Sequence, residues 1–125
     1  MPYSYEEARG VLRVTLKGKV TAPELHDFLD ELETLVLERQ EWPDNLLDLR
    51  EVDLSGLGFM DMLGFSKRRK GATPPNPIRT ALVAVSPTII GFARMFQNMN
   101  KSAQITVEVF PTLEAANAWL AKKPG

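Results

Sequence analysis

The sequence predicts an α/β fold: a mostly parallel sheet of about five strands with one antiparallel edge hairpin. Three observations lead there. The first twenty residues read as a hairpin; strand and helix patterns then alternate strictly, giving β-β-α-β-α-β-α-β-α; and one internal strand is apolar on both parities, as a strand covered on both faces must be. Strands joined through helices lie parallel with right-handed crossovers, so the order itself favours a parallel sheet.

Each element has its own signal. Val11 to Lys17 alternates, with Leu12, Val14 and Leu16 on one side and Arg13, Thr15 and Lys17 on the other. Residues 3–7 pair with it through a turn at Ala8-Arg9-Gly10. Thr21-Ala22-Pro23-Glu24 has capping-box spacing with proline near the start, so a helix opens there. Its apolar positions Leu25, Phe28, Leu29, Leu32, Leu35 and Val36 recur at three and four, and it is expected to end between Arg39 and Trp42. Leu46 to Leu49 reads as a short strand. A second helix is expected from about Leu57 to Lys70, closed by the cations Lys67-Arg68-Arg69-Lys70 that suit a helix C-terminus. Prolines 74, 75 and 77 make residues 71–77 a loop. Thr80 to Val85 is the doubly apolar strand, and Ser86-Pro87 starts a helix that runs to about Asn98. Ile105 to Phe110 alternates again, and Pro111-Thr112 opens a last helix with Leu113, Ala116, Trp119 and Leu120 inward.

Composition bounds the chemistry. The 125 residues are the length of one domain, expected to span 1–125, and hydrophobic and charged fractions of 44% and 25% are those of a globular chain. Without cysteine there is no disulfide framework, thiolate zinc site, iron–sulfur cluster or cysteine nucleophile. The start, Met1 to Glu7, lacks a basic and then apolar signal, and no apolar run approaches a membrane span, so a cytoplasmic protein is expected. There is no G-x-x-x-x-G-K-[ST], and Gly56-Leu57-Gly58 lacks the third glycine of a dinucleotide fingerprint. His26 is the sole histidine. With Asp30 it offers two ligands at i and i+4, fewer than a metal site needs, and no G-x-S-x-G accompanies it. No cofactor, no metal and no catalytic residue are expected.

Charge is balanced overall at −1 but unevenly placed. From Glu24 to Asp61 there are twelve acidic and two basic residues; from Met62 to Val107 there are seven basic and none acidic. That asymmetry fits an anionic partner, or an acidic surface meeting a basic one across an oligomer contact. The run 67–70 is too short for nucleic-acid binding at a pI of about 5.8. Following an apolar, methionine-rich helix, it suits peripheral contact with anionic lipid.

Leu46-Leu47-Asp48-Leu49-Arg50-Glu51-Val52-Asp53-Leu54-Ser55-Gly56-Leu57 resembles the anti-sigma-factor antagonists, or STAS domains, in which a serine or threonine at this junction is a phosphorylation switch. Here the residue is Ser55; Leu54 stands where those switches carry an aspartate. Gly18-Lys19-Val20-Thr21, Asp48-Leu49-Arg50 and Val107-Glu108-Val109-Phe110 with Leu113 to Leu120 resemble the SpoIIAA-like branch, small bacterial proteins of STAS or Sec14-like fold. The resemblance spans residues 3–121. It implies a non-enzymatic binding module.

Ligands of open α/β sheets sit beyond the carboxyl ends of parallel strands. That edge carries Arg50, Ser55, Gly56, Ser86 and Thr88 as the expected binding residues. Phe59, Met60, Met62 and Leu63 on the second helix, with Ile89, Phe92, Met95 and Phe96 on the third, offer more apolar surface than one sheet contact needs. Helix packing, a protein contact such as a homodimer, or a groove for a lipid or small apolar ligand flanked by Arg79 and Arg94 would each use it.

Overall fold

The computed structural model describes residues 3–71 and 73–122. Met1 and Pro2 of the expected signal-free start, Ala72 of the expected loop, and residues 123–125 lie outside the described residues, as does the Lys70 side chain of the basic run. The elements are β1 (Tyr3–Ala8), β2 (Val11–Lys19), α1 (Ala22–Val36), β3 (Asp44–Asp53), α2 (Phe59–Lys70), β4 (Ile78–Val83), α3 (Pro87–Met99), β5 (Ile105–Phe110) and α4 (Leu113–Ala121). This is the expected α/β order. The strands form one sheet in the order β1-β2-β3-β4-β5, with β1 antiparallel to β2 and every other pair parallel.

The hairpin turns on Arg9 and Gly10, both at positive φ (55° and 75°), the two-residue geometry whose twist matches that of the strands it joins. Glycine takes such a φ freely. At the edge, the Tyr3 hydroxyl donates to the Glu31 carboxylate, which ties β1 to α1 and pushes the phenol pKa up to about 12. Thr21 caps α1 as the spacing requires: its hydroxyl accepts from the Glu24 N–H, and the Glu24 carboxylate accepts from the Thr21 N–H.

Because the order moves one strand at a time in one direction, crossovers of one hand put α1, α2 and α3 on the same face. The packing agrees. Leu12, Val14, Leu82 and Val107 meet Leu25, Phe28, Leu29, Met62, Phe65 and Phe96 in the main core, each buried aliphatic contributing on the order of 2 kcal/mol. The far face carries only α4, whose Ala116 and Leu120 pack on Val11, Leu46, Ala81 and Val83. β4 is therefore covered on both sides, and Ala81 and Val83 are fully buried. Further out on that face the polar side of β2 is exposed or half-buried, and Arg13 reaches across to the Asn117 side chain on α4.

Several boundaries differ from expectation. α1 ends at Val36 rather than near Arg39–Trp42, since Leu37, Glu38, Gln40 and Glu41 are exposed and offer no apolar stripe to continue it. β3 runs on to Asp53 because its backbone stays paired with β2 through Lys19, even though Arg50, Glu51 and Asp53 are exposed. α2 starts at Phe59, not Leu57: Gly58 is the N-cap and its N–H donates to the Asp61 carboxylate at 2.9 Å. β4 ends at Val83, and Val85 is exposed.

Candidate functional site

At the carboxyl ends of β3 and β4 the chain leaves the sheet twice, once through residues 54–58 and once through residues 84–86. These two exits face each other across a groove of about 400 Å³, lined by Asp53, Leu54, Ser55, Leu57, Ser86, Thr88, Ile89 and Phe92 among others. Ser55 thus shares one surface with Ser86 and Thr88, more than thirty positions further along the chain.

Two local devices shape it. Asp53 accepts the backbone N–H of Ser55 at 2.8 Å, an Asx turn that bends the chain immediately after β3. The Ser55 hydroxyl and N–H together hold the Asp53 carboxyl below its ordinary range. On the other exit, Ser86 is the N-cap of α3, its hydroxyl accepting from the Ile89 N–H at 3.2 Å. Gly56 packs against Lys19, whose Cε stands 2.9 Å from where a Cβ at Gly56 would lie.

Ser55 is not at a helix N-terminus. Three residues separate it from Phe59, so the dipole end of α2 falls at Gly58 instead. Arg50 is outside the groove altogether. It shares the α4 face of β3 with Asp48, and its guanidinium makes two hydrogen bonds to that carboxylate at 2.9 and 2.8 Å. The sequence analysis gives Asp53 no site role, although the Asp-x-Ser spacing at 53–55 is the signal that marks it.

The apolar set divides. Met62, Ile89 and Phe96 are core residues, and Leu63, Phe92 and Met95 are half-buried, because α2 and α3 pack on one another with Phe65 and Phe96 at 5.8 Å between ring centroids. Phe59 and Met60 remain 61% and 73% exposed on the first turn of α2, and Val85 54% exposed between β4 and α3. The two arginines expected to flank a groove do not flank this one. Arg79 faces α4, and Arg94 is turned to Gln97 at 3.1 Å.

Part of the charge asymmetry is resolved within the chain. Arg68 of α2 donates to Asp30 and Glu33 of α1 and lies 3.0 Å from His26 Nδ1, so a guanidinium occupies the position a shared metal would need. Among the described residues, no group of three or more His, Cys, Asp or Glu side chains could hold a metal ion, and no helix is long and apolar enough to cross a membrane.

Sheet order and crossovers define an open α/β module with one antiparallel edge strand. The sequence model of the SpoIIAA-like family matches residues 11–121, and the chain belongs to that family. Among solved structures it is similar to an uncharacterised protein of family DUF3478 from Shewanella loihica PV-4, which has a SpoIIAA-like fold; identity is 18%, coverage is 95% of this chain and 92% of that one, and the TM-score is 0.64. No curated protein matches.

Proposed function

We propose that this chain is a regulatory module that acts by binding another protein, not by catalysis, through the surface where α2 and α3 begin. Phe59 and Met60 carry the reading. Two large apolar side chains on adjacent positions of one helical turn, each more than half exposed, lose contact with water only when something covers them. Leu57, two positions before Phe59, lines the groove of Ser55, Ser86 and Thr88, whose hydroxyls would serve as a polar rim to that apolar centre. A second copy of the chain is the partner we assign first, since small α/β modules commonly close on a two-fold axis.

Ser55 gives such a surface a means of control. A phosphate there would stand close to Asp53, and repulsion between the two would strain the Asx turn that sets the position of Gly58 and the first turn of α2. Sedimentation equilibrium of the purified chain tests the contact directly. A concentration-dependent dimer is expected, with Met60→Glu monomeric at unchanged far-UV dichroism. Ser55→Glu is expected to shift the association constant, whereas Ser55→Ala leaves it in place. A wild-type chain that stays monomeric up to millimolar concentration would remove self-association from the reading.

A further inference from the structure

At the other end of the sheet, a cavity of about 520 Å³ opens between the C-terminal ends of α1 and α2 and the starts of β3 and β4. That volume is in the range of small-molecule sites. Leu32, Val36, Trp42 and Ile78 give it apolar walls. Two polar side chains withdrawn from the surface line it without a protein partner among the described residues. Asn45, on the helix-facing side of β3, is only 5% exposed, and its side-chain amide makes no hydrogen bond there. Arg69 is half-buried and forms neither a hydrogen bond nor an ion pair there.

The neighbouring cations are accounted for. Arg68 is paired with Asp30 and Glu33, and Arg39 with Glu7 at 2.8 Å. Arg69 is therefore the cation at this cavity whose charge nothing described offsets closely. Burial holds its guanidinium below the ordinary arginine range, and the field of Glu33 opposes that only in part. Both groups open onto the cavity rather than being sealed in the core, so a ligand that displaced water from it would have to supply the missing acceptor.

We propose that this cavity binds a small organic anion, an alkyl or aryl carboxylate whose charged end pairs with Arg69 and whose body lies against Leu32, Val36, Trp42 and Ile78. One unpaired guanidinium matches one negative charge, and its planar fork matches a carboxylate. A multiply charged anion fits worse, because both helices point their carbonyl ends this way. The site lies at the opposite end of the strands from Phe59 and Met60 and is independent of the docking surface there.

The probes are decanoate and 1-naphthoate, each set against its neutral alcohol, added to the full chain carrying Trp119→Phe so that Trp42 is the sole tryptophan. Saturable change of Trp42 emission is expected, with amide shifts confined to residues 32–45 and 68–78. The acid should bind about tenfold or more tighter than its alcohol. Arg69→Met should abolish that preference while leaving the affinity for the alcohol unchanged, and Arg69→Gln serves equally if the first variant does not fold. No saturable response, equal affinity of acid and alcohol, or an acid preference that survives both substitutions overturns the proposal. None of these outcomes bears on the oligomeric state.

Discussion

Arg79 lies over the ring of Trp119, with 5.5 Å between its guanidinium carbon and the ring centroid, and from there it closes the end of α4. Its guanidinium donates to the carbonyls of Trp119, Leu120 and Lys122 at 2.7–2.9 Å while also pairing with Asp44. A short helix of nine residues leaves its last carbonyls without intrahelical donors, and one planar cation on β4 serves two of them together with the carbonyl of the C-cap, Lys122. Arg79→Met removes these bonds and leaves Asp44 without its cation, so a loss of about 3 kcal/mol is expected in urea unfolding. Arg79→Lys is expected to recover little of it, because an ammonium cannot span the same set of acceptors. Full stability in the lysine variant would show that charge alone holds α4.

A second pair governs acid sensitivity. Asp48 is buried at 9% exposure and accepts from the Arg50 side chain and backbone N–H, and those bonds hold its carboxyl below the usual aspartate range. A carboxylate with a depressed folded pKa stabilises the protein above its unfolded value of about 3.9, and that contribution is lost as pH falls through the folded value. Asp48→Asn should therefore lower stability at neutral pH by about 1–2 kcal/mol, and by progressively less below pH of about 4. Thermal unfolding of both proteins across that acid range reads the difference, and parallel curves at every pH would contradict it.

The two serines of the groove should separate in their cost. Ser86 caps α3, so Ser86→Ala is expected to lose about 1 kcal/mol. Ser55 is exposed; alanine loses the hydroxyl that acts on the exposed Asp53 carboxylate but retains the backbone N–H bond to it, so Ser55→Ala should stay within about 0.5 kcal/mol of the parent. Denaturant midpoints for both variants settle the ranking. If Ser55→Ala were the costlier change, Ser55 would be a structural residue and its assignment to control would fail.

What the sequence made legible is what repeats locally. Alternation in β2, hydroxyl caps at Thr21, Ser86 and Thr112, and the doubly apolar β4 each involve neighbours within a few positions, and all stand in the structure. The extension of β3 was not legible because Arg50, Glu51 and Asp53 look like loop residues, and only the backbone of β2 keeps them in the sheet. Arg79 looked like a surface cation for a groove, yet its partners lie 35 to 43 positions away. The groove itself was partly visible, since topology places Ser55 and Ser86 at one edge. The cavity around Asn45 and Arg69 was not, for its lining comes from α1, β3, α2 and the loop before β4, and no single stretch carries its pattern.

Ser66 is the least expected residue of the main core. It is fully buried on α2, and its hydroxyl finds no partner among the described residues. Beside it Asn100, 2% exposed, donates to the Phe96 and Ser66 carbonyls at 3.0 and 3.4 Å but leaves its own Oδ1 equally without a donor. A buried hydroxyl lacking a partner costs more than the methyl that could replace it, and alanine is also the better helix former. Ser66→Ala is thus expected to leave the protein as stable as before or to raise it by up to about 1 kcal/mol. Asn100→Ala should instead destabilise it, because the bond to the Ser66 carbonyl that joins the end of α3 to α2 and the bond back to the Phe96 carbonyl of α3 both disappear. Combining the two changes distinguishes a direct Ser66–Asn100 contact from independent sites: additive effects in guanidinium unfolding mean the oxygens do not compensate each other, whereas a coupling above about 0.5 kcal/mol means that they do.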